Sequence, residues 1–118
     1  MTLDLKETWV PSQAEFDAFA RVSGDDNPIH VDPAFSARTA FGRTVSHGML
    51  LYTKLWAMLV AARPEARQVS QSMMFPNPCY TREPVDLHVS GEAPGRLTMR
   101  ATRKADGAEL LVGEAEVA

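Results

Sequence analysis

The sequence predicts an α+β fold in which one antiparallel β-sheet wraps around a single long helix. Three observations carry this. The run from Gly48 to about Ala62 is apolar nearly all round, with Met49, Leu50, Leu51, Leu55, Trp56, Met58, Leu59 and Val60, and a helix apolar on almost every side is expected to be buried on almost every side. Further along, Val85, Leu87 and Val89 alternate with Asp86 and His88, and Leu97, Met99 and Ala101 alternate with Thr98, Arg100 and Thr102, the period of half-buried strands. Asp106-Gly107 is a hairpin signal, which makes the strands on either side of it antiparallel. A chain of 118 residues has room for one such core, so residues 1–118 are read as a single domain. That length buries roughly two-thirds of the unfolded surface, enough to fold without staples.

Each element has its own local reason. Thr2 to Val10 alternates loosely and ends at Pro11, giving a first strand. Ser12-Gln13-Ala14-Glu15 is a capping box, and Phe16, Phe19 and Ala20 place an aromatic inner face on the helix that follows. Gly24 stops that helix. Asn27-Pro28 is expected to forbid its resumption, because the residue before proline is pushed out of the α region, so residues 24–30 are read as a loop. Asp32-Pro33 is an N-cap with proline at the first helical position and predicts a short helix from 33 to about 40, closed by Phe41-Gly42. Arg43 to Ser46 is then an extended link into the long helix. Beyond it, Val69, Met73 and Phe75 predict a strand, and the last strand runs from Glu109 to Val117.

Composition excludes several classes. The 45% hydrophobic and 23% charged content is that of a soluble globular protein. A net charge of -3, with no Lys/Arg run, leaves no footprint for nucleic acid. Cys79 is the sole cysteine, so an internal disulfide and a Cys-based zinc site are excluded, and nothing beside it marks a nucleophile. Three histidines far apart in sequence lack zinc-ligand spacing, so no metal is expected. The first residues, Met1-Thr2-Leu3-Asp4-Leu5-Lys6-Glu7, carry charges where a secretory leader is apolar. The apolar run 49–62 is shorter than the about 20 residues of a membrane span and contains Lys54. A cytoplasmic protein engaging neither membrane nor nucleic acid is expected.

The chemistry concentrates in two places. Asp25 and His30 lie five positions apart on a loop pinned by Gly24 and Asn27-Pro28. A carboxylate and an imidazole at an apolar pocket make an acid/base pair, since such surroundings bring their pKa values near the operating pH. Spacing alone leaves a second reading open, with Asp25 and Asp26 as solvated loop residues and His30 capping a turn. His47-Gly48 opens the long helix, whose first N–H groups lack partners and carry the positive dipole end. There the Gly48 amide could hold a developing enolate oxygen; equally, Gly48 could only permit the turn while His47 satisfies a buried hydrogen bond. Met49, Trp56 and Met58 read as core, and His88, on the polar side of its strand, as solvated.

Taken together, Phe19-Ala20-Arg21-Val22-Ser23-Gly24-Asp25-Asp26-Asn27-Pro28-Ile29-His30-Val31-Asp32, then Ala40-Phe41-Gly42, then His47-Gly48-Met49-Leu50 closely resemble the MaoC-like, (R)-specific enoyl-CoA hydratase family. The match is dense over residues 16–51 and looser afterwards. The resemblance implies a hot-dog fold, and a homodimer or dimer of dimers with sheets joined edge to edge. It implies addition of water across the trans-2 double bond of an enoyl thioester to give an (R)-3-hydroxyacyl thioester, and the reverse dehydration. By this resemblance Asp25 and His30 hold and activate the water, with Asp25 taking its proton. The Gly48 N–H polarises the thioester carbonyl, and Asn27, Asp32 and His47 support the loop. No cofactor is implied, coenzyme A being part of the substrate.

Two alternatives stand beside this. One is a 3-hydroxyacyl-acyl-carrier-protein dehydratase of fatty-acid or polyketide synthesis. Arg21, Arg38, Arg43 and Arg63 could form a basic rim for the acidic carrier, or equally for the phosphates of coenzyme A. The other is a non-catalytic acyl-thioester-binding module. The chain also departs from the family pattern. Trp56 stands where many relatives carry a small hydroxyl residue, and Arg82-Glu83 where they have a Gly-Asp turn. The link Arg63 to Arg67 is short, which leaves acyl chain length open.

Overall fold

A computed structural model describes residues 1–118. The elements are β1 (Thr2–Trp9), α1 (Gln13–Ser23), α2 (Pro28–Val31), α3 (Pro33–Ala37), α4 (Gly48–Ala62), β2 (Gln68–Met74), β3 (Val85–Glu92), β4 (Gly95–Arg103) and β5 (Glu109–Val117). The five strands form one sheet in the order β1-β3-β4-β5-β2. Every neighbouring pair is antiparallel. The β4–β5 connection turns at Gly107, whose φ of 73° suits glycine. Register puts Val89 opposite Met99 and Met99 opposite Gly113, so the alternating apolar residues share one face. On that face Val85, Leu87, Val89, Leu97 and Met99 pack with Leu51, Leu55 and Leu59 of α4. Each such side chain contributes about 1.5–3 kcal/mol by leaving water.

The sheet covers one side of the central helix rather than all of it. Leu50, Leu51, Leu55, Met58 and Leu59 are buried, whereas Thr53, Ala57 and Ala61 are exposed and Tyr52, Trp56 and Val60 half-buried. Five strands in a single layer offer one concave face, so an apolar circumference outruns what this chain alone can cover. The lone charge in the helix finds a partner. Lys54 Nζ lies 2.6 Å from Glu15 Oε2, and the same carboxylate accepts from Trp9 Nε1 and from the backbone and hydroxyl of Ser12. The capping box of α1 thus also ties α1 and β1 to α4.

Three other expectations are revised. Asn27-Pro28 does not keep the chain out of helix; it starts α2, with Asn27 Oδ1 accepting from the Ile29 N–H at 3.1 Å. The residue before proline is barred from helical geometry, but an N-cap needs none, and proline suits the first helical position. The following helix, α3, ends at Ala37, short of 40. β2 is an edge strand, with Val69 and Met74 exposed, and Phe75 lies just beyond it. The other face of the sheet is polar: His88 is half-exposed and pairs with Asp4 at 2.5 Å. Arg82 adopts a left-handed φ of 64° in the turn before β3, the position at which relatives are expected to carry glycine. No helix is long and apolar enough to cross a membrane.

Candidate active site

The loop between α1 and α2 is built by short-range hydrogen bonds. The α1 helix ends on Gly24 in the left-handed region, φ 80°. Ser23 Oγ then accepts from the Asp25 N–H, and Asp25 Oδ1 from the Asn27 N–H. Asp32 caps α3 through the Phe35 N–H at 3.0 Å. Asn27 and Asp32 are therefore helix caps that fix the path of the chain on either side of His30.

His30 is buried, and its Nδ1 donates to the Val45 carbonyl at 2.8 Å. A carbonyl only accepts, so Nδ1 carries a proton, and in the neutral form of the ring Nε2 presents its lone pair. That Nε2 stands 3.7 Å from Asp25 Oδ2. The backbone behind is tied down as well. Val45 N–H donates to Ile29 O, and Gln13 Nε2 donates to His30 O at 2.8 Å. Gln13 Oε1 accepts from Thr44 Oγ1, which also bonds Thr81.

His47 joins the pair. Its ring stacks on His30 with centroids 3.9 Å apart and planes 24° apart. It packs tilted against Phe19 and edge-on to Phe16. Its Nε2 lies 2.8 Å from the Asp25 carbonyl oxygen. Burial pushes its pKa below the ordinary range; the bond to Asp25 opposes this and the neighbouring His30 adds to it. Ligand atoms of Asp25, His30 and His47 fall within 4.8 Å of one another.

Gly48 is the first residue of α4, so its N–H has no helical acceptor. A Cβ there would lie 2.8 Å from the Phe75 ring, which accounts for glycine at a position of ordinary helical backbone. Asp25, His30, His47 and Gly48 all line one cleft of about 490 Å³. Ile29, Phe41, Leu51, Phe75 and Leu110 make its walls apolar. Cys79 also lines it, and burial pushes that thiol up to about 12, leaving it protonated and inert.

Other candidates lie elsewhere. None of Arg21, Arg38, Arg43 and Arg63 lines the cleft; Arg43 pairs with Glu83 and Arg63 with Glu65. Trp56 packs against the core beside Tyr52, away from the cleft wall. A polar groove of about 510 Å³ crosses the outer face of the sheet by Lys6, Asp86, His88 and Arg100, where His88 pairs with Asp4, Arg100 with Glu109 and Asp86 with Lys104. The contributions of Phe75, Leu110, Cys79 and Gln13 have no signature in local spacing, because they reach the site only through the tertiary fold.

Residues 1–109 match the family model described as MaoC like domain. The chain belongs to the MaoC-like family. Among curated relatives of this MaoC-like chain, the "(R)-specific enoyl-CoA hydratase" of Aeromonas caviae is 41% identical over 78 residues, covering 64% of this chain and 58% of that protein. The mitochondrial "3-hydroxyacyl-[acyl-carrier-protein] dehydratase" of Arabidopsis thaliana is 40% identical over 76 residues, covering 64% of this chain and 46% of that one. The matched region thus spans about half the length of these relatives. The "(R)-specific enoyl-CoA hydratase" of Rhodospirillum rubrum is 32% identical over 112 residues, covering 90% and 78%. The solved (R)-hydratase of A. caviae superimposes with a TM-score of 0.88 at 34% identity, covering 98% of this chain and 93% of that one. The hot-dog fold follows from that superposition.

Proposed function

We propose that this MaoC-like domain catalyses reversible, (R)-specific hydration of a trans-2-enoyl thioester to the 3-hydroxyacyl thioester. The observation that supports it best is the 3.7 Å gap between Asp25 Oδ2 and His30 Nε2, in a cleft that also holds the Gly48 amide. Two acceptors that close fit one water. At hydrogen-bond lengths of about 2.8 Å to each, the two acceptors subtend about 80° at the water oxygen, so the water donates to both and directs a lone pair away from them.

In this reading the enoyl chain lies along the apolar walls with its thioester oxygen at Gly48 N–H. The water oxygen attacks C3, and the C2–C3 π electrons move to form the enolate. Asp25 takes the water's proton. Helix-terminal N–H and dipole stabilise the oxyanion. The enolate then collapses, C2 takes a proton back from the acid/base pair, and both groups return to their starting state. Hydrogen and hydroxyl are added with no net change of charge, and no cofactor is required. The acyl handle is a pantetheine thioester, whether of coenzyme A or of a carrier protein. A homodimer or dimer of dimers belongs to the same proposal, supported by the partly uncovered α4 and the exposed apolar residues of edge strand β2.

The test is hydration of crotonyl-CoA, followed by loss of the enoyl chromophore, for wild type beside Asp25→Asn and His30→Ala. Each substitution is expected to lower kcat by a factor of about 10²–10⁴ with folding intact. Near-normal rates in Asp25→Asn would remove the role given to that carboxylate. The same thioester on a carrier protein separates hydratase from carrier-dependent dehydratase.

A further inference from the structure

Resting on the hydratase reading, the geometry points to His47 as a positioning residue that holds the acid/base pair in register with the oxyanion amide. One residue adjoins every part of the site. Its Nε2–H reaches the Asp25 carbonyl at 2.8 Å, its face supports His30 at 3.9 Å, and its own carbonyl carbon is bonded to the Gly48 nitrogen. The Asp25 carbonyl accepts only, so the proton on Nε2 is fixed.

Nδ1 is buried and has no hydrogen-bond partner. As a lone pair this atom is tolerated; as a second N–H it would be an unsatisfied buried cation donor. Several features act together against the charged form. The ring is buried, His30 lies against it, and the positive end of α4 begins at the next residue. The titratable groups acting on it are Asp25 from the loop and His30 from α2, while α1 presents only the Phe16 and Phe19 rings. His47 is thus a fixed neutral donor, and because its unbonded Nδ1 is sealed inside the protein, only the His30 Nε2 of the stacked pair is open to the water.

The bond and the stack can be separated by substitution. Glutamine places an amide N–H near the position of Nε2, so His47→Gln keeps the bond to Asp25 and loses the stack. His47→Phe keeps an aromatic face and loses the bond. A displacement of the pair by about 1 Å costs about 10²-fold in rate. Accordingly, His47→Phe is expected to lower kcat on crotonyl-CoA by about 10- to 100-fold at nearly unchanged KM, and His47→Gln to recover most of it. Equal rates in both variants, whether both normal or both impaired, would overturn the inference. A second measurement is independent of activity. Nitrogen NMR of the histidine rings is expected to show His47 as the Nε2–H neutral tautomer between about pH 5 and 8. Protonation of Nδ1 in that range would overturn the inference while leaving the hydratase reading to its own assay.

Discussion

Gly48→Ala separates the stability of this domain from its proposed chemistry. The added methyl would sit 2.8 Å from Cε1 and Cζ of Phe75 and 2.9 Å from its Cδ1. Carbon pairs are comfortable at about 3.5–4.0 Å, so the ring must retreat by roughly 0.7 Å or more. It has room, because Phe75 is 44% exposed and the contact is with the far end of its side chain. The backbone at Gly48 is helical, where alanine is favoured over glycine by up to about 1 kcal/mol. The two effects oppose each other, and unfolding free energy is expected to change by no more than about 1 kcal/mol. The cleft is less forgiving. The methyl and the displaced ring occupy the approach to the Gly48 N–H, and loss of one oxyanion donor lowers kcat about 10²–10³-fold, or about 2.7–4 kcal/mol. Crotonyl-CoA kinetics and thermal melting on the same preparation would check both arms. Adding Phe75→Leu should relieve any melting penalty without restoring kcat. A Gly48→Ala protein with unchanged melting and a rate within about threefold of wild type would refute the reasoning.

Two further outcomes are expected. Glu15 is partly buried, which raises its pKa, but hydrogen bonds from Lys54, Trp9 and Ser12 outweigh that and hold it below 4.5. Its stabilisation is therefore full above the ordinary value and is lost as pH falls through the lowered one. Glu15→Gln should destabilise by about 1 kcal/mol at neutral pH, the exposed third of the side chain being screened, with the difference from wild type shrinking in acid; urea unfolding at pH 7 and about pH 3 checks this. Arg82→Gly should raise the unfolding free energy by about 0.5 kcal/mol, read as a higher urea midpoint, since relieving a left-handed non-glycine outweighs the entropy glycine adds to the unfolded chain. A lower midpoint would mean that the Arg82 side chain contributes to the fold.

Much of this architecture is legible in local pattern, because caps and period-two alternation are local physics. Ser12 and Glu15 announce α1, Asp32-Pro33 announces α3, and β3, β4 and β5 sit where their apolar residues alternate. The errors share a cause. Asn27-Pro28 bars helix before it and favours helix after it, and only the Oδ1 cap shows which side governs. The apolar circumference of α4 records everything that could cover it, while one sheet covers one side. In the site, Asp25, His30 and Gly48 lie in one recognisable segment. The His30–His47 stack joins residues seventeen apart, and Phe75 arrives from another part of the chain; neither leaves a periodic trace.

The proposed acid/base pair, the His47 ring beside it and the helix-terminal amide all come from residues 25–48, while Phe75, Cys79 and Leu110 enter the cleft from later in the chain. Part of the cleft's shape is therefore written outside the segment that carries the proposed chemistry. Substitutions at 75, 79 or 110 can re-cut the cavity while residues 25–48 keep their own hydrogen bonds. In the proposed reaction the fold would be a fixed tool held against an exchangeable gauge, its acyl preference open to retuning without rebuilding the reactive segment.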